Sequence, residues 1–91
     1  MGYTKESAVE AAKNDLAKRL KIGPDDIKSS ASDSDFPDMS LGAAEKGEMS
    51  AQMISSGWTI SLNAGGKSYE YRADKYQLRL RGFEGKNLKV G

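Results

Sequence analysis

Strict alternation of apolar and polar residues in the second half of this chain constrains its fold more than any other feature. Trp58, Ile60 and Leu62 alternate with Thr59 and Ser61, and Tyr69 and Tyr71 alternate with Glu70 and Arg72. Successive side chains on a strand point to opposite sheet faces, so each stretch predicts a strand with one apolar and one polar face. Asn63-Ala64-Gly65-Gly66 between them predicts a hairpin turn, because glycine takes positive φ without a Cβ clash. Tyr76, Leu78 and Leu80, opposite Gln77, Arg79 and Arg81, predict a further strand. Met49, Ala51 and Met53, opposite Ser50 and Gln52, predict an earlier one, closed by a Ser55-Ser56-Gly57 turn. A sheet that is apolar on one face requires a cover.

The start of the chain supplies that cover. Val9, Ala12, Leu16 and Leu20 recur at helical spacing and predict a helix over 4–22 with one apolar stripe. Thr4 or Ser7 can cap its start, and Ser7 with Glu10 has the spacing of a capping box. Gly23 is expected to take the left-handed C-terminal position, and Pro24 forbids continuation. After Ile27 a weak strand rich in serine fades out, as an edge strand would. Residues 33–47 read as a long irregular segment, whose Phe36, Met39 and Leu41 should pack down onto the core. Residues 82–91 contain three glycines and read as a loose tail anchored by Phe83, Leu88 and Val90. The expected architecture is α+β: one domain over 1–91, with an N-terminal helix packed on a four- or five-stranded antiparallel meander. Val9, Leu16, Leu20, Trp58, Ile60 and Leu62 should be buried together.

Composition removes several chemistries. The chain has no cysteine and no histidine, which excludes disulfides, zinc–thiolate sites, thiol nucleophiles and imidazole bases. No serine, lysine or carboxylate forms a recognisable nucleophile–base pair, so no enzymatic activity, catalytic residue or cofactor is expected. No apolar run approaches the roughly 20 residues needed to span a bilayer. Met1-Gly2 leads straight into polar sequence, without the apolar stretch of a secretory leader. The compartment follows from the natural chain and not from these residues: extracytoplasmic if such a segment is removed from it, cytoplasmic otherwise.

Two binding motifs are incomplete. Asp33, Asp35 and Asp38 could offer oxygen ligands to calcium, but the Gly and distal Glu of an EF-hand loop are missing, and turn chemistry explains the acids better. Gly65-Gly66-Lys67-Ser68 ends like a phosphate-binding loop, yet Ile60 stands where the first glycine belongs and strands flank both sides.

Charge is unevenly distributed. Residues 1–66 hold seven Lys and Arg against ten Asp and Glu, whereas 67–91 hold seven against three. Arg72, Lys75, Arg79 and Arg81, interleaved with Tyr69, Tyr71, Tyr76 and Phe83, suggest a single-stranded nucleic-acid surface as the alternative function. Alternation places the arginines opposite the tyrosines, however, and a net charge of +1 argues against a strong phosphate footprint.

The order Phe36-Pro37-Asp38, Ser40-Leu41-Gly42, Gly47, Gln52, Gly57-Trp58 and Tyr69-Glu70-Tyr71 resembles a family of small bacterial and archaeal domains, often found behind export signals. Their pattern is a helix, a weak strand, an aromatic-Pro-Asp-x-Ser-Leu-Gly-Cys loop, a Tyr-x-Gln strand, a Gly-aromatic strand and a final Tyr-x-Tyr-His. The resemblance covers about two thirds of the chain and implies the fold, together with a route of export in relatives. Ala43, Ser50 and Arg72 replace the family's Cys, Tyr and His, so a thiol- or imidazole-dependent role is not implied. The helix-and-sheet outline also resembles the PepSY and cystatin class of protein-binding domains.

The expected function is therefore a non-enzymatic protein- or peptide-binding module, monomeric, presenting either an edge strand or the 33–47 loop. In the loop, Phe36, Asp38, Met39, Ser40 and Leu41 would form the binding segment, in the way an inhibitor presents an extended stretch. The same residues could instead plug the open end of the sheet.

Overall fold

The computed structural model describes residues 2–91. Helix α1 (Lys5–Leu20) and a short 3-10 turn (Pro24–Asp26) precede β1 (Lys28–Phe36), β2 (Ser55–Ala64), β3 (Lys67–Ala73), β4 (Leu78–Phe83) and β5 (Lys86–Lys89). The five strands form one antiparallel meander in chain order, with α1 packed across one face.

The helix start is a reciprocal cap between Thr4 and Ser7, not Ser7 and Glu10. The Ser7 amide donates to Thr4 Oγ1 at 3.1 Å, and the Thr4 amide donates to Ser7 Oγ at 2.8 Å. The helix stops earlier than its glycine suggests. Lys21 takes the left-handed conformation at φ 58°, and Gly23 is extended at φ −77°. Ile22 donates back to the Ala17 carbonyl and closes the last turn.

Ala8, Ala12, Leu16 and Ala17 form the buried helix face, where the short alanine side chains permit close approach to the sheet. Opposite them lie Ile60 and Leu62 of β2, Tyr71 of β3, and Leu78 and Leu80 of β4. The register aligns Ile60 with Tyr71 and Tyr71 with Leu80, so one row of the apolar face crosses three strands. Val9, Leu20 and Trp58 pack against this core half-buried, less enclosed than expected.

Tyr71 also ties the sheet to the helix. Its hydroxyl donates to Asp15 Oδ2 at 2.7 Å, and the Arg19 Nε donates to the same oxygen at 2.7 Å. Burial, then the bond to Asp15, pushes the Tyr71 hydroxyl pKa far upward. Tyr71→Phe should cost about 1–2 kcal/mol, since Asp15 keeps Arg19 but loses its buried donor. Urea denaturation measures this, and an unchanged midpoint would show that the bond contributes nothing net.

Several segments depart from the pattern-based reading. Residues 49–53 alternate like a strand but lie in an irregular connection, with Met49, Met53 and Ile54 exposed. Ser55, Ser56 and Gly57 do not turn the chain; they open β2 and pair with Phe36, Asp35 and Ser34. Gly57 is required there because a Cβ would sit 2.1 Å from the Ala73 carbonyl oxygen. Tyr76 is outside β4 and 80% exposed. Asp74 Oδ1 accepts from the Tyr76 and Gln77 amides at 2.8 and 3.0 Å, folding a turn that swings Tyr76 into solvent. Residues 82–91 are not a loose tail. Glu84 and Gly85, both at positive φ, turn the chain between Phe83 and Lys86, and β5 pairs Leu88 with Leu80.

Candidate functional site

Residues 37–54 cross the sheet face opposite α1, and their course decides which surfaces remain available. The segment begins with a carboxylate turn. Asp38 Oδ1 accepts from the Ser40 amide at 3.0 Å, the Ser40 hydroxyl at 2.9 Å and the Gly42 amide at 3.0 Å. These bonds, led by the Gly42 amide, hold the Asp38 carboxyl below the usual carboxylate range. Leu41 and Gly42 both take positive φ, at 60° and 66°. A Cβ on Gly42 would lie 2.5 Å from Arg72 Nη1, so the guanidinium occupies the space glycine leaves.

Side chains of the polar sheet face then bind the loop backbone. Arg72 Nη1 donates to the Leu41 carbonyl at 2.8 Å, and Gln77 Nε2 to that of Met39 at 2.6 Å. Arg79 Nη1 donates to the Ala43 carbonyl at 3.2 Å, and Asn87 Nδ2 to that of Ala44 at 2.9 Å. Arg79 forms a two-pronged pair with Glu48, both contacts at 2.6 Å, and is only 3% exposed. Its guanidinium, followed by the Glu45 amide, draws the Glu48 carboxyl down to about 2.

This geometry places the sequence-predicted residues as follows. Phe36, Ser40 and Leu41 are buried, but apart from the helix-side core that Phe36 and Leu41 were expected to join. The reason is parity: Phe36 continues the β1 face that carries Ser34, whose hydroxyl bonds Thr59 across from Arg72. Asp38 is committed to its turn. Met39 alone of the five reaches solvent substantially, at 40% exposure.

The basic residues do not form an open stripe. Arg72 Nε donates to Glu70 at 2.6 Å, and its guanidinium lies 5.4 Å from the Phe36 ring centroid. Arg81 is half-exposed beside Glu70 at 3.9 Å, and Lys75 sits over the Tyr76 ring. The three acids considered for calcium are also dispersed: Asp33 pairs with Lys5 at 3.4 Å, Asp35 accepts from Ser56 at 2.8 Å, and Asp38 faces its own turn. Among the described residues no group of three or more acids is placed to hold a metal ion.

The outer edge of β1 is the other available surface. All nine residues pair with β2 without a break, from Lys28 with Asn63 to Phe36 with Ser55. The strand has no proline, and its side chains are mostly Ser, Ala and Asp. Among the described residues no further strand lies beyond it in the sheet. By contrast, the opposite edge, β5, spans only Lys86–Lys89 and pairs with β4 through an irregular register. Lys5, Glu6, Val9, Glu10 and Lys13 of α1 and Ser29, Ser30 and Ala31 of β1 line a groove along the free edge. The serine-rich run signals an edge in the sequence; the helix face that overlooks it has no sequence signal, because Lys5 and Lys13 look like an ordinary solvated flank and Val9 reads as part of the core stripe.

Residues 9–81 match a protein family described as a domain of unknown function (DUF8738). The match runs from within the helix to β4 and includes the whole loop. No curated protein and no solved structure matches the chain.

Proposed function

We infer that this chain, which belongs to the DUF8738 family of domains of unknown function, is a protein- or peptide-binding module that takes an extended partner segment as an additional strand on β1. The free, unbroken nine-residue edge beside the helix groove carries this reading. A row of outward N–H and C=O groups is a template for strand pairing, and long edges are usually blunted by proline, bulges or a covering element. In strand addition the main-chain bonds supply affinity and flanking side-chain pockets supply specificity. The groove between α1 and β1 offers such a flank. The 36–41 segment supports binding less well, because Phe36, Ser40 and Leu41 are spent on internal packing. Nucleic acid is likewise less well supported, since Arg72 and Arg79 direct their donors to Glu70, Glu48 and loop carbonyls.

Panning a random dodecapeptide display library against the folded domain, then titrating the selected peptides by amide chemical shift, tests the reading. Shifts and slowed amide exchange should concentrate on residues 28–36 and the first half of α1. Ala31→Lys, which fills the groove, should abolish binding, with the unfolding midpoint measured alongside because Ala31 packs partly against the helix-side core, whereas Met39→Ala should leave binding intact. Loss of binding in Met39→Ala, with β1 unperturbed, would move the site to the loop.

A further inference from the structure

The groove along β1 has an unequal charge balance at its two ends. Lys5, Val9 and Lys13 are four residues apart on α1 and so form one row along the helix. Lys5 and Lys13 are separated by about 12 Å along the axis, given a rise of about 1.5 Å per residue. Ser29 and Asp33 share one face of β1 and are about 13 Å apart at about 3.3 Å per residue. The two spacings match. The Lys5–Asp33 contact at 3.4 Å fixes one end. The chain enters β1 from the C-terminal end of α1, so the helix and strand run in opposite directions. Val9 therefore stands level with Ala31, and Lys13 level with Ser29. At the Lys5 end the strand supplies a carboxylate. At the Lys13 end it supplies only a serine, and Lys13 makes no ion pair among the described residues.

We propose, building on strand addition at β1, that the groove selects a foreign extended segment carrying an acidic side chain level with Lys13 and an apolar one two residues away, level with Val9 and Ala31. A strand added to β1 points alternate side chains into the groove, about 7 Å apart. One of these enters beneath the unneutralised ammonium, and the next meets the apolar pair. The own-chain Lys5–Asp33 contact is the same interaction already made at the other end. Glu6 and Glu10, which also line the groove, disfavour additional acidic side chains. This makes the preference positional and not a general attraction to acidic peptides.

The display selection described above gives the first readout: selected sequences should be enriched in Asp or Glu two positions from an apolar residue. Fluorescence anisotropy with one such selected peptide then gives the second. Lys13→Ala should weaken binding about two- to fivefold, the range of a partly exposed ion pair. Lys13→Glu should reverse the preference, so that the peptide with its acid replaced by Lys binds the variant more tightly than the original does. Lys13 is partly exposed on the flank of α1, and an unaltered unfolding midpoint separates lost recognition from lost folding. Peptides that bind at β1 with no acidic preference and no response to Lys13→Glu would overturn the charge assignment while leaving strand addition standing. Absence of any edge-binding peptide would overturn both. A concentration-dependent dimer that occludes β1, seen by analytical ultracentrifugation, would replace the foreign partner with a second copy of this chain.

Discussion

Leu41→Ala should destabilise the domain by about 2–4 kcal/mol, the range for truncating a fully enclosed leucine. Leu41 has no exposed surface, and it lies on the face away from α1. Its truncation would open a void under the loop, where the helix-side core cannot collapse to fill it. Leu41 is left-handed, and alanine carries the same Cβ penalty in that conformation, so the difference reports the side chain and not the turn. Urea unfolding with an unchanged m-value is the measurement. A loss below about half a kcal/mol, typical of surface positions, would mean that the loop is not seated in solution.

Arg79→Ala should cost about 2–4 kcal/mol and should also change how stability depends on acid. Removing one partner of a buried ion pair costs about 3–5 kcal/mol, and the lower range here reflects the exposure of a quarter of the Glu48 side chain. The sign of the pH effect follows from Glu48. Its pKa in the folded protein is about 2, below the ordinary 4.5, because Arg79 favours the charged form. The folded state therefore binds fewer protons than the unfolded chain in that interval. The resulting stabilisation is complete above about pH 4.5 and is lost as pH falls towards about 2. The full gap corresponds to about 3 kcal/mol, reduced by solvent screening to about 1–2. Asp38, also depressed, contributes in the same direction, so wild type alone does not isolate the pair. Comparing the acid limb of denaturation in wild type and Arg79→Ala does. The variant should be flatter between those pH values; equal slopes would remove Glu48–Arg79 from the account.

The helix and the central strands were legible because their periodicities report burial directly. Leu16 at helical spacing, and Ile60, Leu62, Tyr71 and Leu80 at alternate positions, all lie in the same core. The polar face was legible in direction but not in use. Alternation correctly sets Arg72, Arg79 and Arg81 opposite Tyr69 and Tyr71, yet the carbonyls and carboxylate that Arg72 and Arg79 bind come from the distant loop. Nothing local to an arginine announces a partner that far along the chain. Met49, Ala51 and Met53 show the opposite failure. Their alternation is real, but a strand also needs a partner, and the Met39 amide bonded to the Ala51 carbonyl does not make a ladder. The glycines of 82–91 misled for a third reason: Gly85 with Glu84 builds a tight turn, so conformational freedom there serves pairing and not fraying. Of the candidate site, the sequence shows a small-residue edge strand. The row of Lys5, Val9 and Lys13 above it becomes visible only when the helix direction is known.

The meander order also has a temporal consequence. Each of β2 to β5 pairs with its neighbour across a short turn, so these contacts form early and cheaply in chain entropy. The stretch 37–54 can dock only after β3, β4 and β5 have presented Arg72, Arg79 and Asn87 as one surface. Its contacts should therefore be largely absent from the folding transition state. In a chevron experiment Leu41→Ala would then accelerate unfolding while leaving the refolding rate close to wild type. On this ordering the hairpins govern how fast the native state is reached, and the loop governs its lifetime once formed.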